Sequence, residues 1–312
     1  MNHLIKRLLI FSIFLFSSAT LAQSQILYGA ATEQSFGNNP SGLYMLDPTT
    51  GDATLIGPIG FDGVTGLEIL PDGRLIGSAN ADNNGEKIAV LIEIDRTTGA
   101  GSFIGELGND NNPNECGRMP DIAYDSSTGL LFGYAQACIG IAEGLFLINP
   151  ANANVIFIGP SGFFGGGNGL AVQSDTGTIF GTPFDADGLI TINRNTGAGT
   201  VIPASIGNDI FQIGAMDFNP DTGVLFGSFR DRRDIFGNGF GVDYLVTINT
   251  SDGTLTPVGQ TIQGLDAIVF FDDRQFISPV PTLSEYGLII TALLLLAGSI
   301  LVLRRRQKRS IV

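Results

Sequence analysis

Short runs of alternating apolar and polar residues recur along the chain, and one of them returns five times. The copies lie about 45–55 residues apart, at Leu43–Asp47, Leu91–Asp95, Gly144–Asn149, Leu189–Asn193 and Tyr244–Asn249. Alternation over so few residues, bounded by turn residues, is typical of a half-buried β-strand. A strand that returns at this interval predicts stacked β units, as in a propeller or a solenoid.

Each copy is followed by a turn and by a second strand, which in several copies ends in Ile-Gly. Four of the turns carry glycine, at Gly51, Gly99, Gly197 and Gly253. Glycine reaches positive φ without a steric penalty, so we expect it to hold the left-handed position of each turn. The third copy has Ala151–Asn154 instead, and there we expect an asparagine to take that position.

A second repeated phrase lies between the copies: a strand, a turn, and another strand that ends in Phe-Gly or Ile-Gly. It spans Gly66–Gly77, Asp121–Gly133, Gly169–Gly181 and Ala215–Gly227. Together the two phrases provide four antiparallel strands for each unit, which we name A, B, C and D. Four such strands are one blade of a β-propeller.

The two ends of the repeat region complement each other. The first strand, Ile26–Ala30, matches strand B and has no strand A before it, whereas the last clear strand, Leu265–Phe271, matches strand A. Joining them completes a fifth blade and removes the open sheet edges. The sequence therefore predicts an all-β propeller of about five four-stranded blades. Arg274–Ser278 is a second candidate for the closing strand, so a five-stranded blade or an open solenoid is the alternative.

The two cysteines flank one predicted hairpin. If Tyr124 faces Leu130 across that hairpin, the same register places Cys116 opposite Cys138. Opposed cysteines in a hairpin have Cα atoms close enough to bond, and an exported chain meets an oxidising compartment. We predict a Cys116–Cys138 disulfide, with two buried free thiols as the alternative.

The A strands are predicted to line the central axis. Aligned residues at one of their positions are mostly small: Gly66, Asp121, Gly169, Ala215 and Ala267. Small side chains there suit a narrow tunnel. Glu68 and Asp217 share another position, and Asp266 lies near the mouth. These acids are candidates for holding a cation; the alternative is that they are solvated or bonded to neighbouring backbone.

One stretch resembles the first half of a calcium-binding loop. Asn80, Asp82 and Asn84 place oxygen ligands at alternate positions, and a glycine follows. The glutamate expected at the twelfth position is absent, because Leu91 stands there. An Asp- and Asn-rich hairpin tip is also an ordinary turn, so Ca²⁺ is a candidate cofactor with a plain turn as the alternative.

Catalytic motifs are scarce. The single histidine, His3, lies in the N-terminal segment, so the rest of the chain has no Ser-His-Asp or Cys-His system and no histidine-based metal site. Glu68 and Asp217 are the one motivated pair of carboxylates for hydrolysing a glycosidic bond. Each also fits an ordinary inner-strand position, so the sequence predicts no enzyme, with a carbohydrate hydrolase as the alternative.

The chain is acidic, with 30 Asp and Glu residues against 16 Lys and Arg and a net charge of −14. The signal-like N-terminal segment carries two basic residues, and residues 285–312 carry five basic residues and one acid, so the β body keeps 9 basic and 29 acidic residues and carries about −20. Such a surface repels phosphate backbones, which argues against nucleic acid as a partner. It keeps an exported protein soluble and attracts cations.

Residues 1–22 have the pattern of a secretory signal peptide. Two basic residues precede the short apolar run Leu8–Phe16, and small residues end at Ala22. We expect export by the Sec translocon and cleavage by signal peptidase after Ala22; a retained anchor is the alternative. The predicted domains are the signal peptide at 1–22, a β-propeller-like domain at 23–278 and a sorting segment at 279–312.

The C-terminal segment combines a polar motif, an apolar run at 286–303 and a basic cluster, in that order. The apolar run is near the lower length limit for a transmembrane helix, and its Tyr286 suits the membrane interface. The basic cluster comprises Arg304, Arg305, Arg306, Lys308 and Arg309. It predicts that this end stays in the cytoplasm while the body lies on the other side.

This arrangement resembles the IPTL-CTERM family of bacterial C-terminal sorting signals, which carry an Ile-Pro-Thr-Leu-Ser-Glu-Trp-Gly-like motif. The motif here comprises Val280, Pro281, Thr282, Leu283, Ser284, Glu285, Tyr286 and Gly287. Val280 and Tyr286 replace the usual Ile and Trp, and both changes keep the chemistry. The resemblance implies that an exosortase-like membrane peptidase removes the tail and that the body passes from the inner membrane to the cell surface or outer matrix. An uncleaved type I anchor is the alternative.

The body is similar in a general way to WD40-like or NHL-like propellers of secreted bacterial proteins, although it lacks a Trp-Asp signature. Together with the tail, it predicts an exported, surface-sorted module that binds to or builds the envelope or extracellular matrix. The alternatives are the carbohydrate hydrolase and a Ca²⁺-dependent adhesin. The sequence does not identify the ligand.

Overall fold

The computed structural model describes residues 25–32, 40–83, 86–108, 116–135, 137–138, 143–163, 167–183, 186, 188–202, 213–232, 234, 236–238 and 241–272. The predicted signal peptide and sorting segment lie outside these ranges. Every regular element within the ranges is a β-strand, and none of their residues forms a helix long and apolar enough to cross a membrane. The chain divides into two units, 1–272 and 273–312, and all the strands belong to the first.

The strands form five antiparallel groups of four, which we call blades 1 to 5. Blade 1 contains β21 (Leu265–Phe271), β1 (Ile26–Ala31), β2 (Pro40–Leu46) and the first part of β3 (Ala53–Ile69). Blade 2 contains the rest of β3 with β4 (Leu75–Asn83), β5 (Glu86–Ile94) and β6 (Gly101–Glu106). Blade 3 contains β8 (Asp121–Asp125), β9 (Leu130–Ala135), β11 (Gly144–Ile148) and β12 (Val155–Pro160), and its first hairpin is extended by β7 (Cys116–Arg118) and β10 (Ala137–Cys138). Blade 4 contains β13 (Gly167–Gln173), β14 (Thr178–Pro183), β15 (Ile190–Ile192) and β16 (Gly199–Val201). Blade 5 contains β17 (Ile213–Phe218), β18 (Leu225–Asp231), β19 (Val242–Ile248) and β20 (Leu255–Gln260).

The ring is closed by strands from its two ends. Strand β21 pairs antiparallel with β1, so that Ala267 lies opposite Ala30. The A strands contact one another in a closed cycle, from β3 to β8, β13, β17, β21 and back to β3. The described chain is thus all-β, and its four-stranded sheets are arranged as propeller blades, with the closing pair that the sequence predicts.

The hydrophobic core lies between blades. Alternate residues of a strand point to opposite faces of the sheet, so each blade needs a cover on both faces. Leu91 of blade 2 packs in one cluster with Phe146 of blade 3, and Leu27 of blade 1 packs in another with Leu245 of blade 5. All four side chains are at most 1% exposed. Contact between blades therefore supplies most of the apolar burial that stabilises the ring.

The connections at one face of the ring, which we call the turn face, join A to B and C to D, and most of them share one repeated turn. In blade 2, Asp95 Oδ1 accepts the N–H of Thr97 at 2.7 Å, and Gly99 donates its N–H to the Asp95 carbonyl at 2.8 Å. Gly99 has φ 80, as expected for the left-handed position. Related Asx-type turns start at Asp47, Asp125, Asn149, Asn193, Asn219 and Asn249.

The third C–D turn corrects one expectation. Ala153, and not an asparagine, has positive φ there, at 62°. The left-handed residue is the fourth after the residue that starts the turn, Asn149, whatever side chain it carries. The asparagines serve elsewhere, because Asn149 Oδ1 accepts from Ala151 N and Asn152 Oδ1 accepts from Asn154 N.

The Ile-Gly that ends strand D has a structural reason that the sequence alone does not show. A Cβ on Gly57 would stand 2.1 Å from the carbonyl oxygen of Thr98, in the C–D turn of the next blade. A Cβ on Gly259 would stand 1.8 Å from the carbonyl oxygen of Thr50, across the seam between blades 5 and 1. Glycine is required because any side chain would push neighbouring blades apart.

The opposite face, which we call the loop face, carries the connections from B to C and from D to the next A. Strand D of blade 1 continues into strand A of blade 2 within β3, whereas the other connections range from residues 84–85, between β4 and β5, to residues 202–212, between β16 and β17. They follow no common pattern in length or sequence. Variation between the blades is therefore concentrated on this face.

The register near the two cysteines differs from the expected one. Tyr124 pairs with Leu131, one residue beyond the predicted partner. A register shift between Ala137 and Cys138 then brings Cys138 opposite Cys116. The predicted hairpin register was wrong by one residue at Tyr124, and the shift between Ala137 and Cys138 compensates for that error, so the backbone places the two cysteine positions opposite each other. The disulfide itself stays a prediction.

Candidate functional site

The A strands line the axis in the register that the sequence alignment predicts. Gly66, Asp121, Ala215 and Ala267 lie opposite Ser78, Tyr134, Ser228 and Ala30, all at the same level of strand B. Glu68 and Asp217 lie two residues further along, opposite Ile76 and Phe226. Residues two apart share a face of the strand. Glu68, Asp121 and Asp217, which we call the axial acids, therefore project toward a neighbouring blade.

Glu68 and Asp217 each bond to the inner strand of the following blade. Glu68 Oε2 accepts the N–H of Tyr124 at 2.6 Å, and Asp217 Oδ2 accepts the N–H of Phe270 at 2.6 Å. The second oxygen of each carboxylate accepts the N–H of the residue that follows it in the chain, at 2.7 and 2.8 Å. Both side chains therefore satisfy backbone donors of the A strands, which is one of the two alternatives that the sequence left open.

Asp121 has the largest role among the axial acids, and sequence reasoning missed it. Its Oδ2 accepts the N–H groups of Leu170 at 2.9 Å and Met216 at 3.3 Å, and its Oδ1 accepts that of Ile122 at 2.9 Å. The side chain is 1% exposed and joins the inner strands of blades 3, 4 and 5. A signal was present, because Asp121 is the one acid among small residues at its aligned position.

Burial raises the pKa of all three axial acids. For Glu68 burial is the main cause, and the nearby charge of Asp217 adds to it. Burial raises the pKa of Asp217 to about 7, against the lowering effect of its two N–H bonds. For Asp121 burial outweighs three such bonds. Glu68 and Asp217 interact, so the two carboxyl groups titrate as a pair. Because both pKa values are raised, the pair still holds a proton when the pH approaches neutrality.

Asp266, at the mouth of the axis, differs from the three axial acids. It is partly exposed near the loop-face end of β21, and no described residue donates a hydrogen bond to it. Burial raises its pKa to about 6, helped by the charge of Asp243 and opposed by those of Arg230 and Arg232. Asp243 is itself engaged, since it accepts the N–H of Gly264 and lies 3.1 Å from Arg230 Nε. Asp266 is therefore the acid that the fold leaves available at the mouth.

The calcium candidates do not form the expected hairpin tip. Strand β4 continues to Asn83, so Asn80 pairs with Ala89 inside a strand, and Asp82 lies at a further paired position. Asn84 lies outside the described residues. An extended strand spreads its residues along the sheet, whereas a calcium loop curls them around one point. Among the residues described, no group of three or more His, Cys, Asp or Glu is placed to hold a metal ion.

A sequence profile of the IPTL-CTERM motif matches residues 278–307. The match covers the predicted motif Val280–Gly287 and most of the basic cluster, both of which lie outside the described residues. The described part of the chain is all-β, with propeller-like blades. The chain carries an IPTL-CTERM sorting signal, which implies an exported surface protein processed at the membrane by an exosortase-like enzyme.

A search of curated protein sequences found no match to the chain. Solved structures match much of the chain at low identity and with TM-scores under 0.5. A nidogen/laminin complex matches with a TM-score of 0.49 and 11% identity, covering 80% of this chain and 86% of that one. A protein provisionally described as a 6-phosphogluconolactonase, from Bacteroides fragilis NCTC 9343, matches with a TM-score of 0.47 and 12% identity, covering 81% and 99%. TolB from Acinetobacter baumannii matches with a TM-score of 0.42 and 17% identity, covering 74% and 51%. These similarities concern the fold and identify no ligand or activity.

Proposed function

We propose that this protein is a surface-sorted binding module that attaches to a component of the bacterial envelope or extracellular matrix through its loop face. The difference in bonding between the two faces carries this conclusion. Turn-face polar groups are used by the repeated turns, whereas the loop face combines irregular connections with the available carboxylate of Asp266. Irregular connections on a rigid scaffold are where proteins commonly place binding residues.

The direction of the strands supports this assignment. Every A strand runs from the loop face to the turn face, and β21 is the last of them. The described chain therefore ends at Asp272 on the turn face, at the opposite end of the strands from the proposed binding face.

A blocking experiment tests the proposed binding face. Asn238→Cys places a thiol on the exposed loop face, and Asp175→Cys places a matched thiol on the exposed turn face. Each variant is coupled to polyethylene glycol maleimide and added to cells that lack the protein. We expect the loop-face label to lower retention on the cells about tenfold, which corresponds to a loss of about 1.4 kcal/mol in binding free energy. The turn-face label should leave retention unchanged. Equal retention of the two labelled proteins would contradict the proposed face.

The alternative functions predict different results. A carbohydrate hydrolase would turn over a sugar in a panel of glycosides and lose that activity in Glu68→Gln or Asp217→Asn. The bonds that both carboxylates make to backbone N–H groups argue for a structural role instead. A Ca²⁺-dependent adhesin would show a higher thermal midpoint with Ca²⁺ than with chelator, because a ligand of the native state stabilises it.

Export and sorting have their own test, which is the intact mass and location of the protein in its host. We expect a mature species that begins near Gln23, ends near Val280–Gly287 and lies outside the inner membrane. A species in the inner membrane that retains Arg304–Arg309 would mean an uncleaved anchor.

A further inference from the structure

Blade 1 lacks one connection that each other blade has. In blades 2 to 5 a turn joins strand A to strand B at the turn face, as Asp125–Gly129 does in blade 3. In blade 1 the two strands come from opposite ends of the ring: β21 ends at Phe271, which pairs with Ile26 at the start of β1. This closing pair of strands therefore has no covalent link at the turn face.

An arginine from blade 2 lies over the turn-face end of the closing pair. Arg96, in the C–D turn, places its guanidinium carbon 4.1 Å from the centroid of the Phe271 ring on β21. The same guanidinium donates a hydrogen bond to the hydroxyl of Tyr28 on β1. The centroids of the two rings are 6.3 Å apart. One side chain of blade 2 therefore contacts both strands of the closing pair.

These contacts are sheltered from water. Tyr28 and Phe271 are each 6% exposed, and Arg96 is partly buried. Burial raises the pKa of Tyr28, and the charge and hydrogen bond of Arg96 oppose that rise. A cation over an aromatic ring contributes more to stability when water is excluded from the contact. Arg96 is therefore placed to stabilise the closing pair.

Blade 4 carries an arginine at the equivalent position, and it reaches the equivalent place in blade 3. Arg194 donates a hydrogen bond to Asp125 and lies 5.9 Å from the centroid of the Phe132 ring. Asp125 ends strand A of blade 3, as Phe271 ends strand A of blade 1, and the second ring in each blade is the third residue of strand B. The arginine thus meets a carboxylate where a turn follows strand A, and an aromatic pair where the ring is closed.

The C–D turn itself does not require arginine at this position. The corresponding residues in blades 1, 3 and 5 are Pro48, Pro150 and Thr250. These three turns keep the hydrogen bond from the fifth residue to the carbonyl of the first. Arg96 is therefore explained by its contacts with blade 1 and not by the turn that carries it.

We propose that Arg96 is a latch that takes the place of the missing A–B turn of blade 1 and keeps the ring closed. With the latch in place, β21 and β1 are joined through blade 2 at the end where other blades have a turn. Without it, the closing pair separates more often from that end, because proteins open in local units whose stability depends on their own contacts. An opened pair exposes the edge of β1, which is a template for pairing with another chain. The latch is independent of the proposed binding face.

Hydrogen exchange followed by mass spectrometry tests the latch on the protein purified from its host. In Arg96→Ala, the backbone amides of residues 26–31 and 265–271 should exchange about tenfold faster under native conditions, because a sheltered cation–π contact and a hydrogen bond are lost. Arg194→Ala is the matched control and should leave exchange in these two strands unchanged. Tyr28→Phe removes only the hydrogen bond and should accelerate exchange there a few-fold.

Unchanged exchange in both strands of Arg96→Ala would overturn the latch. Equal acceleration in all five blades, or the same acceleration of these strands in Arg194→Ala, would overturn it too, because either result would mean a general loss of stability. If Arg96→Ala does not fold, Tyr28→Phe decides. Faster exchange confined to the closing pair supports the latch, whereas exchange like that of the native protein contradicts it.

Discussion

The turn face and the loop face of this ring are ends of the same strands, yet they are bonded in different ways. At the turn face, the Asp or Asn side chain that starts most of the turns accepts the turn's own N–H groups, and glycines such as Gly57 let neighbouring blades touch through backbone. At the loop face, connections differ from blade to blade, and Asp266 and Ser228 lack hydrogen-bond partners among the described residues. One face is specified by the fold, and the other is available for binding.

This difference teaches where the repeat constrains the sequence. A turn-face residue must satisfy the same geometry in every blade, so the phrases that reveal the repeat lie on or near that face. A loop-face residue has no such requirement, so its sequence can vary with the ligand. The absence of a recognisable binding motif is therefore expected of the face that we propose to bind.

The largest effect should come from adding one methyl group at the turn face. Gly259→Ala would place a Cβ 1.8 Å from the Thr50 carbonyl oxygen, across the seam that closes the ring. We expect a loss of at least about 4 kcal/mol in the free energy of unfolding, or failure to fold. Gly162→Ala is the matched change near the loop face, where a Cβ meets nothing within 4 Å and φ is 84°. It should cost only about 1 kcal/mol, and urea unfolding of both variants checks the contrast.

The second effect concerns the cysteines, which lie in the extension of blade 3 near the loop face. If Cys116 and Cys138 form the predicted disulfide, Cys138→Ser should lower the free energy of unfolding by about 2–4 kcal/mol. Reducing agent should destabilise the native protein by a similar amount and leave the variant unchanged. Alkylation of both cysteines without prior reduction, seen by mass spectrometry, would show that no bond forms.

The third effect separates the axis from the turn face by pH. Asp217 has a pKa of about 7 in the folded state, far above its unfolded value near 3.9, so the folded state binds the proton more tightly. Its contribution to stability is complete below about pH 4 and is lost as the pH rises through about 7, and roughly 2–3 kcal/mol of that loss falls between pH 5 and pH 8. The thermal midpoint should therefore fall between pH 5 and pH 8, and Asp217→Asn should flatten that fall.

Asp252 in a turn of blade 5 is the control for this pH effect, because its shift has the opposite sign. Hydrogen bonds from the backbone and side chain of Thr254 lower its pKa. Its contribution is present at neutral pH and is lost only as the solution becomes acidic. Asp252→Asn should leave the change between pH 5 and pH 8 as it is in the native protein. A midpoint independent of pH in the native protein would show that burial does not shift Asp217.

The smallest effect is expected at Ala153. Glycine would relieve the strain of positive φ, worth about 1 kcal/mol, but would also remove a fully buried methyl group, worth about 0.8 kcal/mol. Ala153→Gly should therefore change the free energy of unfolding by less than about 1 kcal/mol. A larger loss, measured by urea unfolding beside the native protein, would show that the methyl is needed where this turn meets blade 2.

The sequence predicted the structure correctly where the conformation of a residue depends on its neighbours in the chain. Turn glycines such as Gly99 follow from the positive φ that the turn requires, and the alternation of residues such as those in Leu91–Asp95 follows from the two faces of a strand. Closure by β21 also followed from the sequence, because an unpaired strand B at one end of the repeat and an unpaired strand A at the other complement each other.

The sequence did not predict features that depend on contacts with another blade or on a shift in strand register. The register at Tyr124 differs by one residue from the predicted one, and no residue type announces the shift between Ala137 and Cys138 that brings the cysteine positions back into opposition. The need for glycine at Gly57 is visible only once Thr98 of the next blade is placed beside it. The sequence singled out Glu68 and Asp217 but could not supply their backbone donors, and the unpaired hydroxyl of Ser228 is a property of its three-dimensional surroundings.

The pairing of β21 with β1 also determines when blade 1 can be completed during export of the chain. An exported chain crosses the membrane unfolded, beginning at its N-terminus, so β1 emerges early and must wait for Leu265–Phe271 before blade 1 can be completed. The sorting motif follows directly, at residue 278. Ring closure and arrival of the tail at the membrane therefore fall close together in time, and a chain released before that moment would present the unpaired edge of β1 to its neighbours.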